Sequence, residues 1–132
     1  MSIAVDTNIL VRVAVEDDPE QSRIARGLLT RADSVAVPIT ALCEMVWVLS
    51  RSYKISSVDI AATIRALTRA ECVRTDQPAL AAGLALLDMG GDFADGAIAY
   101  EGRCLGGKTF VSFDQAAVKR LNAVGIAAVE AA

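Results

Sequence analysis

Short β-branched runs alternate with longer helical stretches along the whole 132-residue chain, and this alternation constrains the fold more than any other feature. The strand candidates are IAV at 3–5, SVAV at 34–37, CVRT at 72–75 and TFV at 109–111, with IAAV at 126–129 as a fifth. Between and beside them, 7–14, 19–31, 40–51, 57–69, 77–89, 93–104 and 115–123 read as helices, the second opening at Pro19. Such an alternation predicts an α/β fold with helices on both faces of a central, mostly parallel sheet of four or five strands. No repeat, low-complexity tract or linker interrupts the pattern, so residues 1–132 are expected to form one domain.

The composition narrows the function. Hydrophobic residues make up 54% and charged residues 22%, which suits a chain with a packed core and excludes a disordered one. Pro38, Glu44 and Asp88 break the longest apolar runs before any reaches the roughly 18 residues a membrane span needs. The opening MSIAVDTNIL has no basic leader and carries Asp6 where a signal peptide needs apolar residues, so a cytoplasmic location is expected. Cys43, Cys72 and Cys104 are far apart and outside any C-x-x-C pair, which indicates reduced core residues rather than a disulfide framework or a zinc site. Histidine is absent, which removes Ser-His and Cys-His catalysis and imidazole metal ligands together. Chemistry must then rest on carboxylates, hydroxyls, amides or lysine.

In a parallel α/β sheet, ligands sit beyond the carboxyl ends of the strands. Asp6 directly follows the first strand and Asp114 follows TFV within a few residues, each ahead of a helix. Either is explained by helix capping alone. In GGDFADGAIA, Asp92 reads as a cap and Asp95 as an acid of the first turn, favoured there by the helix dipole. Glu44, inside ITALCEMVWVLSR, resists that explanation: it lies a turn beyond Thr40, the expected cap, among Leu42, Cys43, Met45, Val46 and Val48. A pairing with Arg51 or a solvated edge would account for it without function. Taken together, Asp6, Glu44, Asp95 and Asp114 in one cleft would repel by about 4 kcal/mol per pair at a separation near 4 Å. A hard divalent cation, Mg²⁺ or Mn²⁺, is the natural counter-charge for an oxygen-only set. Without those four acids, acidic and basic residues nearly balance. Arg23, Arg26 and Arg31 along one helix, with Arg65, Arg69 and Arg74 further on, offer positive charge for a nucleic acid or simply solvated faces.

VDTNIL at the first strand, an internal glutamate in a helix that follows a strand ending in proline, DFADGAIA and VSFD together resemble PIN-domain ribonucleases, particularly the VapC toxins of bacterial toxin-antitoxin pairs. The resemblance covers nearly the whole chain, in order. It implies a PIN-like three-layer α/β/α fold and a metal-dependent ribonuclease, a hydrolase of phosphodiester bonds. In it Asp6, Glu44, Asp95 and Asp114 are the acids that bind Mg²⁺ or Mn²⁺, and Asp92 is an extra or water-mediated contact. Thr7, Asn8 and Ser112 match positions whose polar side chains support the acids. It further implies a single-stranded or looped RNA substrate, a homodimer, and a cognate VapB antitoxin whose tail blocks the acidic cleft. One departure is Gly96, where the family commonly has alanine; glycine there weakens a helix by roughly 1 kcal/mol. A haloacid-dehalogenase-like phosphatase is a rival class, but it would need a second aspartate where Asn8 stands. The same motifs are compatible with a PIN-like binding module without catalysis, or with a PIN nuclease of RNA processing outside a toxin-antitoxin pair.

Overall fold

Helix boundaries in the computed structural model, which describes residues 1–132, follow capping chemistry written in the chain. Asp6 caps α1 (Thr7–Ala14) and Asp18 caps α2 (Pro19–Arg31), the latter accepting from the Gln21 N–H with Pro19 at the first helical position. Ser56 caps α4 (Ser57–Arg69), Asp92 caps α6 (Phe93–Cys104) and Asp114 caps α7 (Gln115–Ala123). After α5 (Gln77–Asp88), Gly90 adopts a φ of 79° and the Gly91 N–H returns to the Leu86 carbonyl, which turns the chain sharply. The start of α3 (Ile39–Arg51) differs from expectation. Pro38, not Thr40, occupies its cap position and makes no side-chain cap bond. Proline's restricted φ, here −63°, positions the chain for the helix directly after it, so no hydroxyl is needed.

The chain divides into two compact units, Met1–Asp76 and Gln77–Ala132. In the first, β1 (Ser2–Ala4), β2 (Ser34–Ala36) and β3 (Val73–Arg74) form a parallel sheet in the order β1-β2-β3, with Ile3 opposite Val35 and Val35 opposite Val73. Pairing continues past the strand ends, where Val5 N–H donates to Ala36 and Val37 N–H to Arg74. Leu10, Val35, Val37, Leu42, Met45, Leu49, Ile60 and Ile64 are almost completely buried and supply the core of this unit. The second unit pairs β4 (Phe110–Ser112) with β5 (Ala128–Glu130), also in parallel, around Leu86, Ala99, Leu121 and Ala128. Here α5 and α6 approach closely because Gly83 makes room for the buried Phe93 ring and Gly96 faces the α5 backbone at Ala82 and Gly83.

The α/β class, the five strands and their parallel sense are as the alternation predicts. Hydrogen bonding, however, groups the strands as three plus two rather than as one sheet of four or five. Periodicity identifies a strand, but the register that selects its partner is non-local, and runs of two or three residues encode it weakly. The cysteines are free as expected, yet Cys104 is exposed at the end of α6, and Cys43 and Cys72 are only partly buried, so they are not core residues. No helix is long and apolar enough to cross a membrane.

Candidate functional site

Asp6 leaves β1 in extended conformation and bonds the first turn of α1 through one oxygen only. Its Oδ1 accepts from the Asn8 and Ile9 N–H groups at 3.1 and 3.4 Å, which leaves Oδ2 outside the cap. Asn8 therefore meets Asp6 through its backbone, not its side chain. One residue on, the Thr7 hydroxyl donates to Glu44 Oε2 at 3.2 Å, linking the start of α1 to the second turn of α3. Asp6 and Glu44 consequently share one hollow of about 400 Å³, walled by Val5, Pro38, Ala41 and Val48 and edged by Thr7, Asn8 and Thr40.

Glu44 is exposed, contrary to its apolar neighbourhood in the sequence. With Trp47 and Arg51 it lies along an outward-facing strip of α3, while Leu42, Met45, Val46 and Leu49 turn inward. Arg51 does not clamp it. The Arg51 guanidinium lies over the Trp47 ring instead, 5.8 Å from its centroid. Nor does the neighbouring Arg12 turn to Asp6: it donates to Asp17 at 2.6 Å, Gln21 at 2.7 Å and the Tyr53 hydroxyl at 3.2 Å. That engagement, the Tyr53 bond first and the Asp17 charge with it, holds the Arg12 guanidinium above its ordinary pKa. In the same way Arg23 pairs with Glu20 and Arg26 with Glu16, so two of the three arginines on α2 are neutralised locally.

In the second unit, Asp92 Oδ1 accepts from the Ala94 N–H at 3.1 Å and Asp114 Oδ1 from the Ala117 N–H at 3.0 Å. Ser112 supports Asp114 through the backbone: its Oγ accepts from the Asp114 N–H at 3.0 Å, fixing the turn before α7. Asp95, half-buried in the first turn of α6, is the acid whose proton the fold holds more tightly. Burial raises its pKa from the ordinary aspartate value, and the charges of Asp92 and Asp114 raise it further. Arg120 on α7 acts in the opposite direction but more weakly, and forms no ion pair with any of the three. No motif in the sequence points to Arg120, whose stem packs beside Gly91.

The fold thus gathers the predicted residues within each unit: Asp6, Thr7, Asn8 and Glu44 in the first, and Asp92, Asp95, Ser112 and Asp114 in the second. No group of three or more His, Cys, Asp or Glu side chains is drawn close enough to hold a metal ion. The donors in both units are hard oxygens, and the uncapped oxygens of Asp6 and Glu44 suit a hard cation such as Mg²⁺ or Mn²⁺ better than a soft one. The sequence pattern described as the PIN domain matches residues 3–122, running through both units. No curated protein matches the chain closely enough to count as a relative.

Proposed function

Because the chain belongs to the PIN-domain family, we propose that it is a Mg²⁺- or Mn²⁺-dependent endoribonuclease and the toxin of a VapBC-type toxin-antitoxin pair. PIN domains are typically nucleases that use divalent metal and act on RNA or other nucleic acids. The observation that carries the reading is the hollow at the carboxyl end of β1, where Asp6 and the hydroxyl-linked Glu44 line one small depression. An acid on an outward strip, tied to the turn that presents a second acid, suits cation binding better than packing.

In this reading Asp6 and Glu44 would hold a cation in the first unit, with Thr7 and Asn8 as their supports, and Asp95 and Asp114 are the ligand acids of the second unit, with Asp92 and Ser112 beside them. Hydrolysis joins a water oxygen to phosphorus and breaks the bond to a bridging ribose oxygen, which gains a proton as the water loses one. A bound divalent cation supplies the acidity of that water and offsets the charge of the transition state. The chain's own groups hold and orient. Asp6, pinned through Oδ1, presents Oδ2, and the Thr7 hydroxyl restricts the rotation of the Glu44 carboxylate. With no histidine in the chain, no imidazole competes as base or ligand. Single-stranded or looped RNA is the substrate, because it exposes the backbone and bases that a stem hides.

The test is cleavage of an RNA pool by wild type, Asp6→Asn and Asp95→Asn, with Mg²⁺, with Mn²⁺ and with chelator. Cleavage should need metal and fall at least about 100-fold in either variant, the scale on which loss of a charge-stabilising group acts in catalysis. Metal-independent cleavage, or full activity in both variants, overturns the assignment. The toxin role predicts that expression in the cytoplasm of a bacterial host arrests growth, that Asp6→Asn does not, and that a VapB-type antitoxin relieves it by binding a homodimer of the chain. An active enzyme without effect on growth belongs among RNA-processing nucleases instead.

A further inference from the structure

Trp47 is the only tryptophan in the chain, and it is left 59% exposed on α3. A side chain of that size ordinarily contributes its area to the core. Here Met45, Val46 and Leu49 fill the inner face of the helix, and Trp47 stands on the outer one. Its exposed neighbours at helical spacing are polar: Glu44 one turn before, Ser50 and Arg51 one turn after. Along α3 the ring is therefore flanked by polar groups and not by further exposed apolar side chains of a contiguous patch. Arg51 adds a second feature. Its guanidinium lies over the indole at 5.8 Å although Glu44, an oppositely charged partner, stands on the same strip. Trp47 lies about 4.5 Å along the helix axis from Glu44, at 1.5 Å of rise per residue, and Val48 beside it in sequence lines the hollow that holds Asp6 and Glu44.

From these positions we infer that Trp47 and Arg51 form a stacking platform for an unpaired base of the RNA next to the bond that is cut. Indole and guanidinium planes both accept bases irrespective of sequence, and the Arg51 charge attracts the adjoining phosphate. The platform accounts for an exposed ring that packing does not use, and it selects single-stranded over duplex RNA because a paired base has no free face. It rests on the nuclease reading and adds to it the way the substrate is held.

A single tryptophan makes the test direct. In the Asp6→Asn protein with Mg²⁺, an unlabelled mixed-sequence oligoribonucleotide should change Trp47 emission saturably, while the same sequence as a duplex should not. Anisotropy of a fluorescein-labelled copy measures binding independently. Trp47→Ala should weaken single-strand binding roughly 5- to 150-fold, Trp47→Phe should restore part of it, and Arg51→Gln should reduce both affinity and its salt dependence. If RNA binds with unaltered emission and Trp47→Ala binds as wild type does, the platform is refuted while the nuclease reading stands. If RNA neither binds nor is cut by wild type in metal, both fall. Emission that changes with protein concentration alone, with sedimentation showing self-association lost in Trp47→Ala, assigns the ring to a second copy of the chain and also refutes the platform.

Discussion

Replacing Gly96 by alanine should destabilise this chain although alanine is the better helix former. A Cβ at Gly96 would meet the carbonyl oxygen of Ala82, its carbonyl carbon at 2.6 Å and the Cα of Gly83 at 3.0 Å, all backbone atoms of α5. None can swing aside as a side chain would, so α6 must move away from α5. Overpacking of this kind costs about 1–3 kcal/mol, and an obstruction made of backbone belongs at the upper end. The helix-propensity gain of alanine offsets about 1 kcal/mol. A net loss of about 2 kcal/mol remains, worth roughly 8 °C in Tm for a chain of this size. Gly102 provides the control within the same helix. A Cβ there meets nothing within 4 Å, so Gly102→Ala should stabilise by about 0.5–1 kcal/mol. Urea titration followed by far-UV circular dichroism measures both, and a urea slope of about 1–3 kcal/mol per molar translates the Gly96→Ala loss into a midpoint lower by roughly 1 M. A Gly96→Ala midpoint at or above that of wild type, with the slope unchanged, would refute the close-approach argument.

Two further outcomes follow from the acids. The folded pKa of Asp95 is raised, so its contribution to metal-free stability is fully present below the ordinary aspartate pKa near 3.8 and is lost as pH rises through the higher folded value. Asp95→Asn should therefore be more stable than wild type near neutral pH in chelator and lose that advantage on acidification; thermal melts from pH 3 to 8 decide, and an advantage that grows in acid contradicts the burial argument. Thr7→Val keeps the shape and removes the hydroxyl that holds Glu44, so Mn²⁺ affinity by titration calorimetry should fall about 10-fold with little change in Tm; undiminished affinity would mean that Thr7 does not orient Glu44 for metal.

Much of the local structure is legible in the sequence because its causes are local. Asp18, Ser56, Asp92 and Asp114 announce helix starts through hydrogen bonds to N–H groups two or three residues on. The bounds of α1, α2, α4, α6 and α7 follow the periodic segments residue for residue. The setting of Glu44 is not legible in the same way: the apolar residues beside it in the sequence hide the outward strip that runs from Glu44 through Trp47 to Arg51. A hydrophobicity scale assigns tryptophan inward, and only the surrounding helices decide whether room exists for it. Gly96 is similar, since its cost to an isolated helix is visible in the chain but the α5 backbone lying against it is not.

The sequence by itself determined the class of fold, the order of the elements and the chemistry open to the chain: oxygen ligands, no imidazole, and acids at helix starts. Those properties arise from side-chain type and from bonds spanning a few residues. Tertiary structure alone decided that Thr7 reaches Glu44 across 37 positions, that Asp95 is the acid whose proton is held more tightly, and that the strands pair as three and two. Each depends on distances between segments remote in the chain, which packing sets and no local pattern encodes.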